Sequence, residues 1–71
     1  MKRQDFANKI GKRIAQVRKG RGVSQSDLSR ILLKDRQSLN RVEKGQRLPS
    51  SFYLFELAQA LDVSPSTFFE F

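Results

Sequence analysis

The sequence predicts a compact all-α domain of five helices that covers residues 1–71 as one unit. Three observations support this prediction. Apolar residues recur at helical spacing, and residues that start or stop helices separate these stretches. No segment alternates apolar and polar residues for long enough to indicate a half-buried strand. Finally, a chain of 71 residues without cysteine can build one small core and no disulfide.

The first helix is predicted from about Asp5 to Lys19. Gly20 and Gly22 follow and would end the helix. Its apolar stripe recurs at helical spacing and consists of Phe6, Ile10, Ile14 and Val17. Basic residues occupy the remaining faces, namely Lys9, Lys12, Arg13 and Lys19.

The second helix is predicted from about Ser24 to Leu32. Ser24 is its candidate N-cap, and Asp27 follows at the three-residue spacing of a capping box. The side chains expected to point inward are Leu28, Ile31 and Leu32.

The third helix is predicted from about Asp35 to Lys44. Asp35 is its candidate N-cap, and Gly45 supplies the stop signal. Leu39 and Val42 would face the core. Together with the tight turn before it, this pair of short helices has the scale of a helix-turn-helix motif.

The third helix would show four polar side chains to solvent, which are Arg36, Gln37, Asn40 and Arg41. Arginine pairs naturally with guanine in the major groove of DNA, and glutamine or asparagine pairs with adenine. Exposed polar residues also occur on any solvated helix, so base readout and simple solvation both fit this pattern.

The fourth helix follows a break that Pro49 enforces. Ser50 or Ser51 can cap this helix, which would end near Leu61. Its predicted core face consists of Leu54, Leu57, Ala58 and Leu61.

A final short helical turn is predicted over residues 67–70. Ser64 is its candidate cap, and Pro65 then stands at the first helical position, where proline is favoured. This turn would be the fifth helix of the domain.

The charged residues are distributed unevenly along the chain. Residues 1–50 hold all 14 Lys and Arg against four acids, a net charge of +10. Residues 51–71 hold three acids and no base, a net charge of −3. Improved solubility would explain a surplus of lysine and arginine but not their confinement to residues 1–50. The pattern therefore favours a polyanionic partner on one side of the domain.

Several aromatic side chains fall outside the predicted core faces, and a small core cannot easily bury all six phenylalanines. Part of this set is therefore predicted to form a two-fold dimer interface, comprising Phe52, Phe55, Phe69 and Phe71. Alternatively, the C-terminal turn folds back and buries them within one subunit. The absence of Lys and Arg from residues 51–71 favours the dimer, because like charges would not then face each other.

The residues between about Ile10 and Phe69 resemble the Cro/repressor helix-turn-helix family of phage and bacterial regulators, also called the xenobiotic-response-element family. No gap is needed between Gly22 and Gly45. The resemblance depends on the joint spacing of Gly11, Ile14, Arg18, Gly22, Ser24, Gln25, Leu28, Ser38, Leu39, Glu43, Gly45, Pro49, Leu57, Ala58, Ala60, Leu61, Val63, Ser64, Pro65 and Phe68.

The resemblance implies a lambda-repressor-like domain that places its third helix in the DNA major groove and binds a palindromic operator as a homodimer. It implies base contacts from the four exposed residues of that helix. It also implies phosphate contacts from Ser24, Gln25, Lys44 and Arg47, with Gln25 using its side-chain amide and its backbone N–H. Arg18 and Glu43 would form a partly buried ion pair that ties the first helix to the third.

Two positions depart from the family pattern, because Leu33 and Asp62 stand where glycine is usual after a helix. Leucine at positive φ would cost on the order of 1–2 kcal/mol. Either Leu33 bears that strain, with or without a side-chain contact that offsets it, or the turn takes another path. Asp tolerates the left-handed conformation better than most residues.

The leading functional hypothesis is a transcriptional regulator that binds double-stranded DNA. The first alternative is an antitoxin-like or adaptor protein that uses the same fold mainly to bind a protein. A domain that binds RNA or any polyanion is less well supported, because Phe6 is the one aromatic residue of the basic region.

An enzyme is the least supported class. The chain has no His or Cys and no pair of carboxylates placed for acid–base catalysis. We expect no cofactor, no metal site and no small-molecule ligand. No stretch has the apolar length of a signal peptide or a membrane span, so the expectation is a soluble cytoplasmic protein.

Overall fold

The computed structural model describes residues 1–71 as four α-helices followed by a 3-10 helix, with no strand. The elements are α1 (Arg3–Gly20), α2 (Gln25–Leu32), α3 (Arg36–Glu43), α4 (Ser51–Leu61) and the 3-10 helix (Pro65–Phe69). The prediction of an all-helical fold is confirmed. None of the helices is both long and apolar enough to cross a lipid bilayer.

The fifth predicted helix is a 3-10 helix rather than an α-helix. It begins at Pro65 after the predicted cap Ser64, and it ends at Phe69, one residue before the predicted end. The backbone N–H of Thr67 donates to the carbonyl of Ser64 at 2.9 Å, which is the three-residue spacing of a 3-10 turn. A segment of five residues has little room for α-helical bonds, which span four residues. The segment nevertheless contributes Phe68, whose side chain is fully buried.

The starts of three helices are fixed by side chains that accept a backbone N–H three residues later. Ser24 accepts from Asp27 at 3.0 Å, Asp35 accepts from Ser38 at 2.7 Å, and the Ser50 hydroxyl accepts from the backbone of α4 at 3.0 Å. These bonds satisfy N–H groups that lack a helical acceptor. The second half of the predicted capping box at α2 is missing, because the Asp27 carboxylate accepts from an arginine of its own helix at 2.8 Å.

One core joins all five elements. Helix α1 packs against α3 and the 3-10 helix, while α2 packs against α3 and α4. Every element contributes at least one residue of this core, whose members are Ile10, Ile14, Val17, Leu28, Leu39, Val42, Leu54, Leu57, Ala58, Leu61 and Phe68. Helical periodicity therefore predicts most of the inward-facing residues. The prediction for Ile31 is wrong, because its side chain is 59% exposed on α2 and only Leu28 of that helix joins the core.

Helices α1 and α3 approach each other most closely at Gly11. A β-carbon on Gly11 would overlap the carbonyl oxygen of Val42 and lie 2.9 Å from that of Glu43. Only glycine therefore allows the backbone of α1 to rest against the C-terminal end of α3.

All four α-helices end with the same hydrogen-bond pattern, known as the Schellman motif. After α2, for example, the Leu33 N–H donates to the carbonyl of Arg30 at 3.2 Å and the Lys34 N–H to that of Ser29 at 3.0 Å. Each motif needs one residue at positive φ, and these residues are Gly22, Leu33, Gly45 and Asp62. Leu33 adopts this conformation with φ of 56° and is 92% exposed, so no contact of its side chain offsets the strain.

Replacing Leu33 with glycine is expected to stabilise the domain by up to about 1 kcal/mol. Glycine removes a left-handed strain of about 1–2 kcal/mol, and the greater freedom of glycine in the unfolded chain takes back part of that gain. Urea unfolding of the variant and the parent measures the difference. Asp62→Gly is the matched control, and we expect a smaller gain there because Asp tolerates positive φ. A loss of stability in Leu33→Gly would contradict the assignment of strain to this turn.

Candidate nucleic-acid interface

Helix α3 stands on the surface with its N-terminus held by Asp35. The Asp35 carboxylate accepts from the Ser38 backbone at 2.7 Å and from the Ser38 hydroxyl at 3.2 Å. The backbone hydrogen bond from Ser38 lowers the pKa of Asp35 below its ordinary value. Asp35 therefore stays ionised at neutral pH, and this contribution to the stability of α3 is lost only as the pH falls through the lowered pKa.

The four residues predicted to contact bases do not share one environment. The side chains of Arg36, Gln37 and Arg41 are exposed on α3. Asn40 is only partly exposed, and its Oδ1 accepts a hydrogen bond from Gln25 Nε2 at 3.2 Å. Gln37 and Arg41 therefore have no side-chain partner, whereas Asn40 and, through a longer bond of 3.4 Å from its Nε, the exposed Arg36 are bonded to Gln25 of α2.

A bidentate ion pair between Arg18 and Glu43 ties α1 to α3. Arg18 Nε donates to Glu43 Oε2 at 2.7 Å, and Nη2 donates to Oε1 at 3.0 Å. The two side chains are 8% and 6% exposed. The third guanidinium nitrogen, Nη1, donates to the carbonyl of Val23 at 2.9 Å and so also holds the loop before α2. The pair fixes the angle of α3 on the rest of the domain.

The side-chain amide of Gln25 lies between α2 and α3 and is fully used within the protein. Its Nε2 donates to Glu43 Oε1 at 2.9 Å as well as to Asn40. Its Oε1 accepts from Arg36 Nε at 3.4 Å. The groups of Gln25 that remain for a phosphate are therefore those of its backbone, at the exposed first turn of α2.

The residues predicted to contact phosphates flank α3 on both sides. On one side lie the Ser24 hydroxyl, which caps α2 and still has a proton to donate, and the first backbone N–H groups of that helix. On the other side, Lys44 and Arg47 are exposed where the chain leaves α3. No acidic partner is bonded to either of these two bases.

Two further arginines of the basic region serve the fold, a role that the sequence did not reveal. Arg13 Nε donates to the carbonyl of Thr67 at 2.8 Å, which fastens the 3-10 helix to α1. Arg21 Nε donates to the carbonyl of Leu61 at 2.8 Å, at the end of α4. These two charges satisfy helix-end carbonyls and are not free to act as DNA contacts.

The four phenylalanines predicted to form a dimer interface remain exposed within one chain. Phe52 and Phe55 are 67% and 46% exposed, and their rings stack with centroids 6.3 Å apart. Phe69 and Phe71 are about half exposed and lie against the ring of Phe6, each with centroids 6.2 Å apart. The C-terminal segment does fold back, but it buries Phe68 rather than these four.

Comparison with known proteins gives one family and several relatives. A family model described as helix-turn-helix, HTH_3, matches residues 14–68. An uncharacterised HTH-type transcriptional regulator, y4dJ of Sinorhizobium fredii (strain NBRC 101917 / NGR234), is 35% identical over 60 residues, which are 84% of this chain and 78% of the relative.

Two solved structures share the fold. The restriction-modification controller protein C.AhdI from Aeromonas hydrophila superposes with a TM-score of 0.83 at 35% identity, over 87% of this chain and 94% of that one. An HTH_3 family transcriptional regulator from Vibrio cholerae superposes with a TM-score of 0.88 at 26% identity over 96% of this chain. The chain spans 38% of the Vibrio protein.

Proposed function

The chain belongs to the HTH_3 helix-turn-helix family of transcriptional regulators, and we propose that it binds a palindromic operator in double-stranded DNA as a homodimer. Helix α3 would enter the major groove and read bases with Arg36, Gln37 and Arg41, with Asn40 at its inner edge. Ser24, the backbone of Gln25, Lys44 and Arg47 would contact the phosphates on either side.

One observation carries the proposal. The side chains suited to base readout project from a helix whose first turn is closed by the Asp35 cap and whose last residue is tied to α1 by the ion pair between Arg18 and Glu43. Preorganised side chains lose less entropy when they bind, so a rigid presentation of this kind favours sequence-specific contacts. On one flank, Lys44 and Arg47 have no acidic partner and supply the attraction to phosphates. On the other flank, the Ser24 hydroxyl and the first backbone N–H groups of α2 supply hydrogen-bond donors.

Selection of bound duplexes from a random DNA pool, at two salt concentrations, tests this function. We expect a palindromic motif whose half-sites are about one helical turn, roughly 34–36 Å, apart. Binding should weaken steeply as salt rises, because phosphate contacts release counterions. Salt-sensitive binding without an enriched motif would replace the proposal with non-specific polyanion binding.

Arg36→Ala and Arg47→Ala are expected to weaken binding in different ways. Loss of Arg36 should cost about 1–3 kcal/mol on the selected operator and relax the preference at one position of each half-site. Loss of Arg47 should weaken binding to all duplexes alike and lower the salt dependence by about one counterion. Titration of the selected and a scrambled duplex at several salt concentrations measures both. The same signature for both variants would refute this division between readout and phosphate contact.

The dimer interface is proposed to consist of the stacked pair Phe52 and Phe55 together with Phe69 and Phe71. These side chains form exposed apolar surface on residues 51–71, a part of the chain that contains no lysine or arginine. One lysine from α1 does lie beside this surface, since Lys9 Nζ is 5.9 Å from the centre of the Phe71 ring. A two-fold axis through this surface would leave the α3 helix of each subunit free to face DNA.

Phe52→Ser combined with Phe55→Ser is expected to convert the dimer into a monomer and to weaken operator binding by at least about tenfold, because the two half-sites are then bound separately. Sedimentation measures the mass, and titration with the selected duplex measures affinity. Ile31→Ser is the control, since it removes an apolar side chain that is 59% exposed on α2. An unchanged mass in the double variant would exclude this pair from the interface.

A further inference from the structure

We propose that Glu43, acting through Gln25, fixes the side-chain amide of Asn40 so that it offers N–H donors to DNA. Asn40 would then select a base rich in acceptors, which is guanine, and reject cytosine. This inference rests on the proposed function and adds the base preference of one position. It makes Glu43 and Gln25 positioning residues for specificity, although neither side chain would touch a base.

The first step is the orientation of the Gln25 amide. Glu43 accepts two hydrogen bonds from the guanidinium of Arg18, and a carboxylate in such a pair offers its other neighbours only acceptors. The Gln25 atom that lies 2.9 Å from Glu43 Oε1 must therefore be Nε2. At the other end of the same amide, Arg36 Nε lies 3.4 Å from Oε1, and a guanidinium can only donate. Both neighbours impose the same orientation.

The second step passes this orientation to Asn40. Gln25 Nε2 has two protons, of which one goes to Glu43 and the other points to Asn40 at 3.2 Å. The Asn40 atom that faces Gln25 must therefore be the acceptor Oδ1. The Nδ2 group of Asn40 makes no hydrogen bond within the protein, and its two donors are the part of the amide that remains available.

The third step concerns the bases. An unconstrained asparagine binds adenine by offering one donor and one acceptor. The Asn40 oxygen points at Gln25 and accepts one hydrogen bond from it, so the Nδ2 donors are the part of the amide turned away from α2 and decide the preference. In the major groove guanine presents two acceptors, adenine presents an acceptor beside a donor, thymine presents one acceptor, and cytosine presents only a donor. Guanine is therefore the expected partner and cytosine the worst.

Measured base preferences test this inference. The position read by Asn40 is the one whose preference Asn40→Ala changes in the duplex selection. There, the wild-type protein should bind guanine at least about tenfold more tightly than cytosine. Asn40→Asp keeps an oxygen for Gln25 and turns the free atom into an acceptor, so the preference should reverse toward cytosine. Gln25→Met frees the Asn40 amide, so adenine should gain on guanine.

Each preference is a ratio of affinities measured on one protein sample, so partial unfolding of a variant cancels. Gln37→Glu is the control, since the Gln37 amide makes no hydrogen bond within the fold and its replacement should alter a different position. A cytosine preference in the wild type would overturn the inference. So would a guanine preference in Asn40→Asp as strong as that of the wild type, or an Asn40→Ala variant that changes no position. In each of these cases the proposed function still stands if the wild-type protein selects a DNA motif. Failure of the wild type to select any motif would remove both.

Discussion

Replacing Arg18 with methionine is expected to destabilise the domain by about 3–5 kcal/mol. Methionine keeps the bulk and helix propensity of the side chain but leaves the 6%-exposed carboxylate of Glu43 without its cation. A domain of 71 residues has a free energy of unfolding of only about 4–11 kcal/mol in total. The variant should therefore unfold at a much lower urea concentration than the parent protein. Urea unfolding followed by circular dichroism measures the loss.

Two comparisons give this result its meaning. Arg30→Met removes an arginine that is 75% exposed and pairs with Asp27, so it should cost less than about 1 kcal/mol. Replacing both partners, Arg18→Met with Glu43→Leu, should restore much of the lost stability, because the orphaned charge is gone. A cost below about 1 kcal/mol for Arg18→Met alone would mean that the pair is screened by water in solution.

The second large effect is expected at Gly11, where alanine should destabilise the domain by about 3 kcal/mol. The added methyl group would meet the backbone carbonyl oxygens of Val42 and Glu43, and backbone atoms cannot rotate away as a flexible side chain can. The helices α1 and α3 would have to separate, which also strains the ion pair between them. Thermal unfolding measured by calorimetry gives the shift.

Gly20 supplies the matched control for this prediction. It lies in the same helix, and a β-carbon there would meet nothing within 4 Å. Gly20→Ala should therefore be neutral or stabilising by up to about 1 kcal/mol, in line with helix propensity. Equal effects of the two substitutions would show that propensity, and not the close approach of the two helices, determines the result at Gly11.

The helix boundaries could be predicted from the sequence because the signals that set them are local. Ser24, Asp35 and Ser50 each cap a helix through a residue only three positions away. The inward faces could be predicted for the most part from helical periodicity, but Ile31 has the right spacing on α2 and is nevertheless 59% exposed. The 3-10 character of the last element could not, because a five-residue segment carries too little pattern to separate the two helix types.

The candidate site was predictable in its exposed residues and not in its hydrogen bonds. A periodic pattern places Arg36 and Gln37 on an outer face. It does not reveal that three residues of α3 bond to the side-chain amide of Gln25, or which way that amide points. For the same reason Arg13 was predicted simply as part of a basic face, although it bonds to a carbonyl 54 residues away. Contacts of this kind depend on tertiary approach, about which local sequence says nothing.

The burial of Phe68 against α1 has a consequence for how the protein is made. A ribosome synthesises Ile10 and Ile14 first among the core residues, yet the ring that completes their surroundings comes from the 3-10 helix. A nascent chain that has released only α1 to α3 therefore still exposes apolar surface that the finished domain hides. The hydrophobic core cannot be completed until Phe68 has been synthesised, so chaperones and proteases can bind the growing chain until then.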